Sequence, residues 1–135
     1  MRDELLYAHI LLALAVAVIA VIIIRQKNKS PLTKNLSILG AVVSWISVLP
    51  AGLLYLNFYP ATKTLILSNA WPWAHEVIME TKEHWGLLVP VFATVAAWLV
   101  LTGKEKESKK WWTLVLVMVV LIGIFGRLVK LGALA

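Results

Sequence analysis

The sequence predicts an all-α integral membrane protein: a four-helix bundle threaded up-down-up-down, with both termini extracytoplasmic. Three observations carry that expectation. The 135 residues are 61% hydrophobic with mean hydropathy +0.85, where a soluble domain is nearer half apolar. Four apolar stretches reach or approach the roughly 20 helical residues that span a bilayer core. Almost nothing lies between them: no long tail, no low-complexity run, no water-soluble domain. One domain over residues 1–135 is the economical reading.

The first stretch, Leu5–Ile24, reads as a retained helix and not as a signal peptide. Its apolar run is long, Asp3 and Glu4 precede it, and no small-residue cleavage site follows. The second runs from Leu36 to Phe58 and contains Pro50 and Gly52, where a kink is expected. Gly40, Ser44, Ser47 and Ala51 form a stripe of small residues along it, a common helix-packing pattern in membranes. The third, Trp85–Leu101, extends back to Pro72 as one helix over 72–102, with Ser68 or Asn69 as its cap and Pro72 in its first turn. The fourth is Trp111–Leu131. With rounding at the ends, the spans are 5–24, 36–58, 72–102 and 111–131.

Orientation follows from the cations. Arg25, Lys27, Lys29 and Lys34 lie in the first connection, and Lys104, Lys106, Lys109 and Lys110 in the third. These eight of the 13 Lys and Arg residues share one side, which the positive-inside bias makes cytoplasmic. The net charge of +6 therefore reads as topology and not as a nucleic-acid footprint. The second connection, with Tyr59, Trp71 and Trp73, then faces outwards, where aromatic side chains suit the headgroup zone.

The absence of cysteine excludes disulfides, thiolate metal sites, iron–sulfur clusters and covalent haem attachment. No serine elbow, phosphate loop or HExxH motif is present. Polar chemistry is concentrated in HEVIMETKEH, residues 75–84, which holds two of the three histidines. At about 1.5 Å per residue, His9 lies roughly 24 Å from Arg25 and His84 roughly 30 Å from Lys104. Arg127 lies roughly 25 Å from Lys110, so three helices carry ionisable groups at similar depth towards the outer side. His75 would stand roughly 43 Å from Lys104, above that layer, in water or against a partner.

A b-type haem in such a bundle needs imidazoles from two helices at one depth, with cations near the propionates. His9 and His84 meet the depth requirement, with His75 and Met79 as alternative ligands. Arg127 could pair with a propionate or a quinone. Glu80, one turn before His84, could orient its ring. A quinone headgroup could bind among Trp71, Trp73, Trp85 and Tyr55, with Glu80 or Glu83 exchanging protons. Two blander readings stand beside these. Arg127 and Lys130 could simply snorkel to the headgroups, and Glu76 and Glu83 could sit on a solvated helix end. Glu76, Glu80 and His84 also share a helix face that could bind a non-haem metal. A di-iron bundle, however, needs acidic residues on several helices, and only one helix here is acidic.

A histidine near the start of the first helix, Pro50-Ala51-Gly52 in the second and Glu83-His84 opening the third resemble small four-helix bacterial and archaeal b-type cytochrome-like membrane proteins. The resemblance implies an electron-transfer subunit in a prokaryotic cell membrane more than a stand-alone enzyme. It also implies one haem b near the extracytoplasmic face, possible exchange with quinone, and partners among other membrane subunits or further copies of the chain. The alternative is a structural or accessory subunit of a larger respiratory complex with no cofactor of its own; a small transporter component is a third option.

Overall fold

The computed structural model describes residues 1–27 and 30–135; Lys29, one of the cations of the first connection, lies outside the described residues. The described chain is helical almost throughout: α1 (Arg2–Arg25), α2 (Pro31–Asn57), α3 (Tyr59–Ser68), a π-helical segment (Ala74–Met79), α4 (Glu80–Leu101) and α5 (Glu105–Gly132). Four spans are long and apolar enough to cross a membrane: α1, α2, the π segment continued by α4, and α5. The protein is thus an all-helical, multi-pass membrane bundle.

The first, second and fourth spans are longer than the expected 5–24, 36–58 and 111–131, whereas the third, Ala74–Leu101, lies within the expected 72–102. Hydropathy marks only the part that lipid must cover, while helix continues wherever the polar flank tolerates it. Thus α2 starts at Pro31, whose fixed φ and missing N–H suit a first turn. Similarly, α5 begins at Glu105 and not at Trp111, because KEKESKK is built from strong helix formers with Glu105 and Glu107 at the positive end of the dipole. Asp3 and Glu4 in the first turn and Arg25 in the last favour α1 in the same way. Gly103, at φ +77°, ends the α4 span in the left-handed conformation and lets the Lys104 amide reach the Leu99 carbonyl at 2.8 Å.

The second connection differs more. It is not an open loop but contains α3, with Pro60 in its first turn. Neither Ser68 nor Asn69 caps the third span. Ser68 Oγ donates to the Leu65 carbonyl, and Asn69 Nδ2 donates to the Ala133 carbonyl at 3.1 Å, which ties α3 to the end of α5. The following helix starts at Ala74, where the Pro72 carbonyl accepts the amides of His75 and Glu76.

Around the bundle α1 lies between α2 and α5, and α4 lies between the same two on the other side. Lipid-type packing explains the interior. Hydrocarbon offers no hydrophobic drive between helices, so small residues that allow close approach take the contact positions. Ala20, Ala93 and Ala96 are fully buried beside Val16, Ile23, Val115 and Trp112. Gly40 is required by Trp112: a Cβ there would lie 2.6 Å from the indole. The Trp112 N–H, shut away from water, donates to Ser37 Oγ at 3.1 Å. Ser108 Oγ likewise donates to the Ala96 carbonyl at 2.7 Å. The outside is apolar: only 17% to 39% of each span is buried within the protein, so lipid must cover most of the rest.

A second apolar cluster closes one end, with Tyr59, Ile66, Ala74, Met79 and Val129 at its centre. Gly132 is needed there because a Cβ would come within 2.5 Å of the Ala74 Cβ.

Candidate functional site

The polar groups collect at the end of the bundle where this second cluster sits. Their arrangement depends on the π-helical turns that begin the third span. A π turn closes i→i+5 bonds and carries an extra residue per turn, and such segments recur at functional sites. It leaves His75 facing inwards, 7% exposed, with Nδ1 2.8 Å from the Tyr59 hydroxyl. Tyr59, the first residue of α3, also stacks on Tyr55 at a centroid distance of 5.4 Å. Burial, and then the negative charge of Glu83, push the Tyr59 hydroxyl well above its ordinary range. The hydroxyl therefore stays protonated and can donate to the imidazole.

His75 thus departs from its expected place. It is expected in water or against a partner, but the Tyr59 side chain at the start of α3 packs on it and it is buried. Met79, the alternative iron ligand, is packed within the same apolar cluster.

Below this pair α4 turns two consecutive charges inwards. Lys82 is half-buried between α1 and α5: its charge reaches His9, and its Cε would lie 3.5 Å from a Cβ on Gly126. His9 is itself half-buried, with Nδ1 3.4 Å from the Ser47 carbonyl on α2. Glu83 faces Tyr55 and Tyr59, and its Oε1 is shielded from solvent without a hydrogen-bond partner. Among the described residues no ion pair forms here; one joins the Met1 amino group and Glu4.

His84 is elsewhere. It is exposed, and its Nδ1 donates to the Glu80 carbonyl of its own helix at 2.7 Å. Lys82, which faces His9, is about 200° around the helix from His84. His84 is thus exposed, whereas His9 is half-buried. Arg127 and Lys130 are both exposed on α5. Among the described residues no group of three or more His, Asp or Glu side chains is placed to hold a metal ion.

The structure does bring Glu80 and His84 together. With Glu76, Val77, Thr81 and Trp85 they line an open groove of about 390 Å³ on the outer face of the π segment and α4. Trp85 also packs on Phe125 of α5 at 5.8 Å, which fixes that wall. Glu80 joins the two sides of the site: it lines the groove, and its charge is felt by Tyr55 and Tyr59. Tyr59 and Ser47 were not foreseen as site residues. The one sequence signal for Tyr59 is that it is a tyrosine one turn from Tyr55, which puts both rings on one helical face.

Fold and site together define a multi-pass helical membrane protein whose three histidines lie towards one end. No protein-family model, curated protein or solved structure matches the chain.

Proposed function

We propose that the chain is an integral membrane subunit of a redox system that receives the headgroup of a lipid-soluble quinone in the α4 groove. The observation that supports this best is the groove itself. It joins carboxylates, an imidazole and an indole at the end of a membrane span, where a carrier diffusing in lipid meets water. Trp85 and Val77 offer apolar walls for a ring, and His84 and Glu80 offer groups that exchange protons with its oxygens.

Reduction of a quinone to a quinol takes two electrons and two protons. In this reading the protons pass through His84 and Glu80, and the electrons come from an electron-carrying partner protein. The haem b expected from His9 and His84 is the part of the sequence reading that this geometry supports less, since one imidazole faces Lys82 and the other faces the groove. A reduced-minus-oxidised spectrum of protein made with ample haem addresses that point directly: a b-type α-band lost in His9→Ala would return the iron to this chain.

The bundle is threaded up-down-up-down, with the groove end and both termini outside and the basic connections in the cytoplasm. Contacts between neighbouring spans support the threading: His9 meets Ser47 while Ile19 meets Gly40, so the order runs oppositely along α1 and α2. The charge bias supports the orientation.

The direct test is binding of a short-chain, photoreactive quinone to the protein in lipid nanodiscs. Saturable labelling of the peptide spanning residues 76–85 is expected. His84→Ala and Glu80→Gln should each weaken binding, by about tenfold where a hydrogen bond to the headgroup is lost. Lack of saturable binding by the unaltered protein would sink the proposal and leave an accessory, cofactor-free role.

A further inference from the structure

At the opposite end a second groove, also about 390 Å³, runs along the lipid-facing seam between α2 and α4. Its floor is Ala41 and Ala97, and its walls include Trp45 and Trp98. Both indoles are largely uncovered, at 50% and 58% exposure. The Trp45 N–H donates to Thr94 Oγ1 at 3.0 Å, so this indole has no polar need left and presents an apolar face to the groove. Thr94 Oγ1 in turn donates to the carbonyl of Pro90, which lies within the continuous α4.

Cations flank the lining on both helices. Lys34 is one turn before Ile38 on the stripe that continues through Trp45. Lys104 follows Leu101 by three residues, and the left-handed Gly103 folds it back so that its amide bonds the Leu99 carbonyl over the end of α4. Both lysines are exposed. With exposed lysines about one turn beyond its lining on both helices, this apolar slot matches the polarity of an anionic phospholipid: acyl chain inside, phosphate towards the lysines.

We propose that the α2–α4 groove is a binding site for one anionic phospholipid, its acyl chain lying on Ala41 and Ala97 between Trp45 and Trp98 and its phosphate held by Lys34 and Lys104. The lipid fills a seam that α2 and α4 leave open by using alanines there. It thereby completes the packing of the two spans. This proposal is independent of the quinone reading, which concerns the other end.

Native mass spectrometry of protein extracted in mild detergent from membranes of mixed phosphatidylglycerol and phosphatidylcholine tests it. One phosphatidylglycerol per chain is expected to survive extraction. Ala97→Phe, which fills the floor, should lose it. In Lys34→Gln and Lys104→Gln the preference for the anionic lipid should fall by about fivefold per lysine. These surface changes leave the packing intact, so they remain informative if Ala97→Phe misfolds. Retention of phosphatidylcholine with equal persistence would overturn the proposal, as would unchanged retention in the lysine variants. So would a second copy of the chain covering this seam, or thermal stabilisation by inorganic phosphate alone.

Discussion

Gly40 and Gly123 look alike in the sequence, yet only one of them is spoken for. A Cβ on Gly40 meets Trp112 at 2.6 Å, whereas one on Gly123 meets nothing within 4 Å. Gly40→Ala should therefore destabilise the detergent-solubilised bundle by about 1–3 kcal/mol through overpacking, while Gly123→Ala should leave the melting temperature nearly unchanged. Thermal unfolding followed by circular dichroism separates the two; equal effects would mean that Trp112 does not sit as described. Tyr59 gives a second test at this scale. Its hydroxyl keeps its proton in the folded protein to higher pH than in the unfolded chain, where phenol titrates near pH 10. Its contribution to stability is therefore complete below about pH 10 and is lost as pH rises through and beyond that value. In Tyr59→Phe the alkaline decline should be shallower, although at neutral pH the variant should be less stable by about 1–3 kcal/mol because a buried His75 nitrogen loses its partner. The sequence could not announce either effect. A glycine that makes room and a glycine in open space differ only in what another helix brings to them.

The π segment decides which histidine faces inwards. Height along a helix can be counted from the sequence, but azimuth depends on every turn between, and Ala74–Met79 does not keep the α-helical 100° step. The decapeptide therefore gives the depth of its two histidines without showing which one the bundle takes. Deleting exposed Val77 should restore an ordinary helix and swing His75 away from Tyr59 by about 100°. Because the chain has no cysteine, the paired substitution Tyr59→Cys and His75→Cys reads this out directly. The pair should cross-link with a short bifunctional maleimide and should fail to do so once Val77 is removed. Cross-linking in both backgrounds would show that the segment's winding is irrelevant to the pairing. The existence of α3 was hidden for a related reason: ten residues with a modest apolar content carry no hydropathy signal, and the helix owes its place to Ile66 and Tyr59 docking under the end of α5.

Four spans were legible in the sequence because the solvent of this fold is lipid, and lipid leaves a simple mark: about 20 apolar residues in a row. The interior of the bundle was less legible, since the contact positions are filled by Ala, Gly and Ser, which are not distinctive one by one. At this scale the orientation is the testable quantity. A membrane-impermeant maleimide should label Lys63→Cys in intact cells and should reach Lys106→Cys only after lysis. The reverse pattern would place the α4 groove on the cytoplasmic side and exchange the compartments with which it trades protons.

The Trp112 slot also sets an order of events in biosynthesis. Its walls, Gly40, Ser37 and Ile19, belong to the first two spans, whereas the indole that fills it comes from the last. While the ribosome is still making α4, the α1–α2 hairpin waits in the bilayer with this notch open, and lipid or a passing helix must occupy it. A chain cut short before α5 would keep that vacancy permanently, and the cell's membrane proteases would meet it as an unfinished protein.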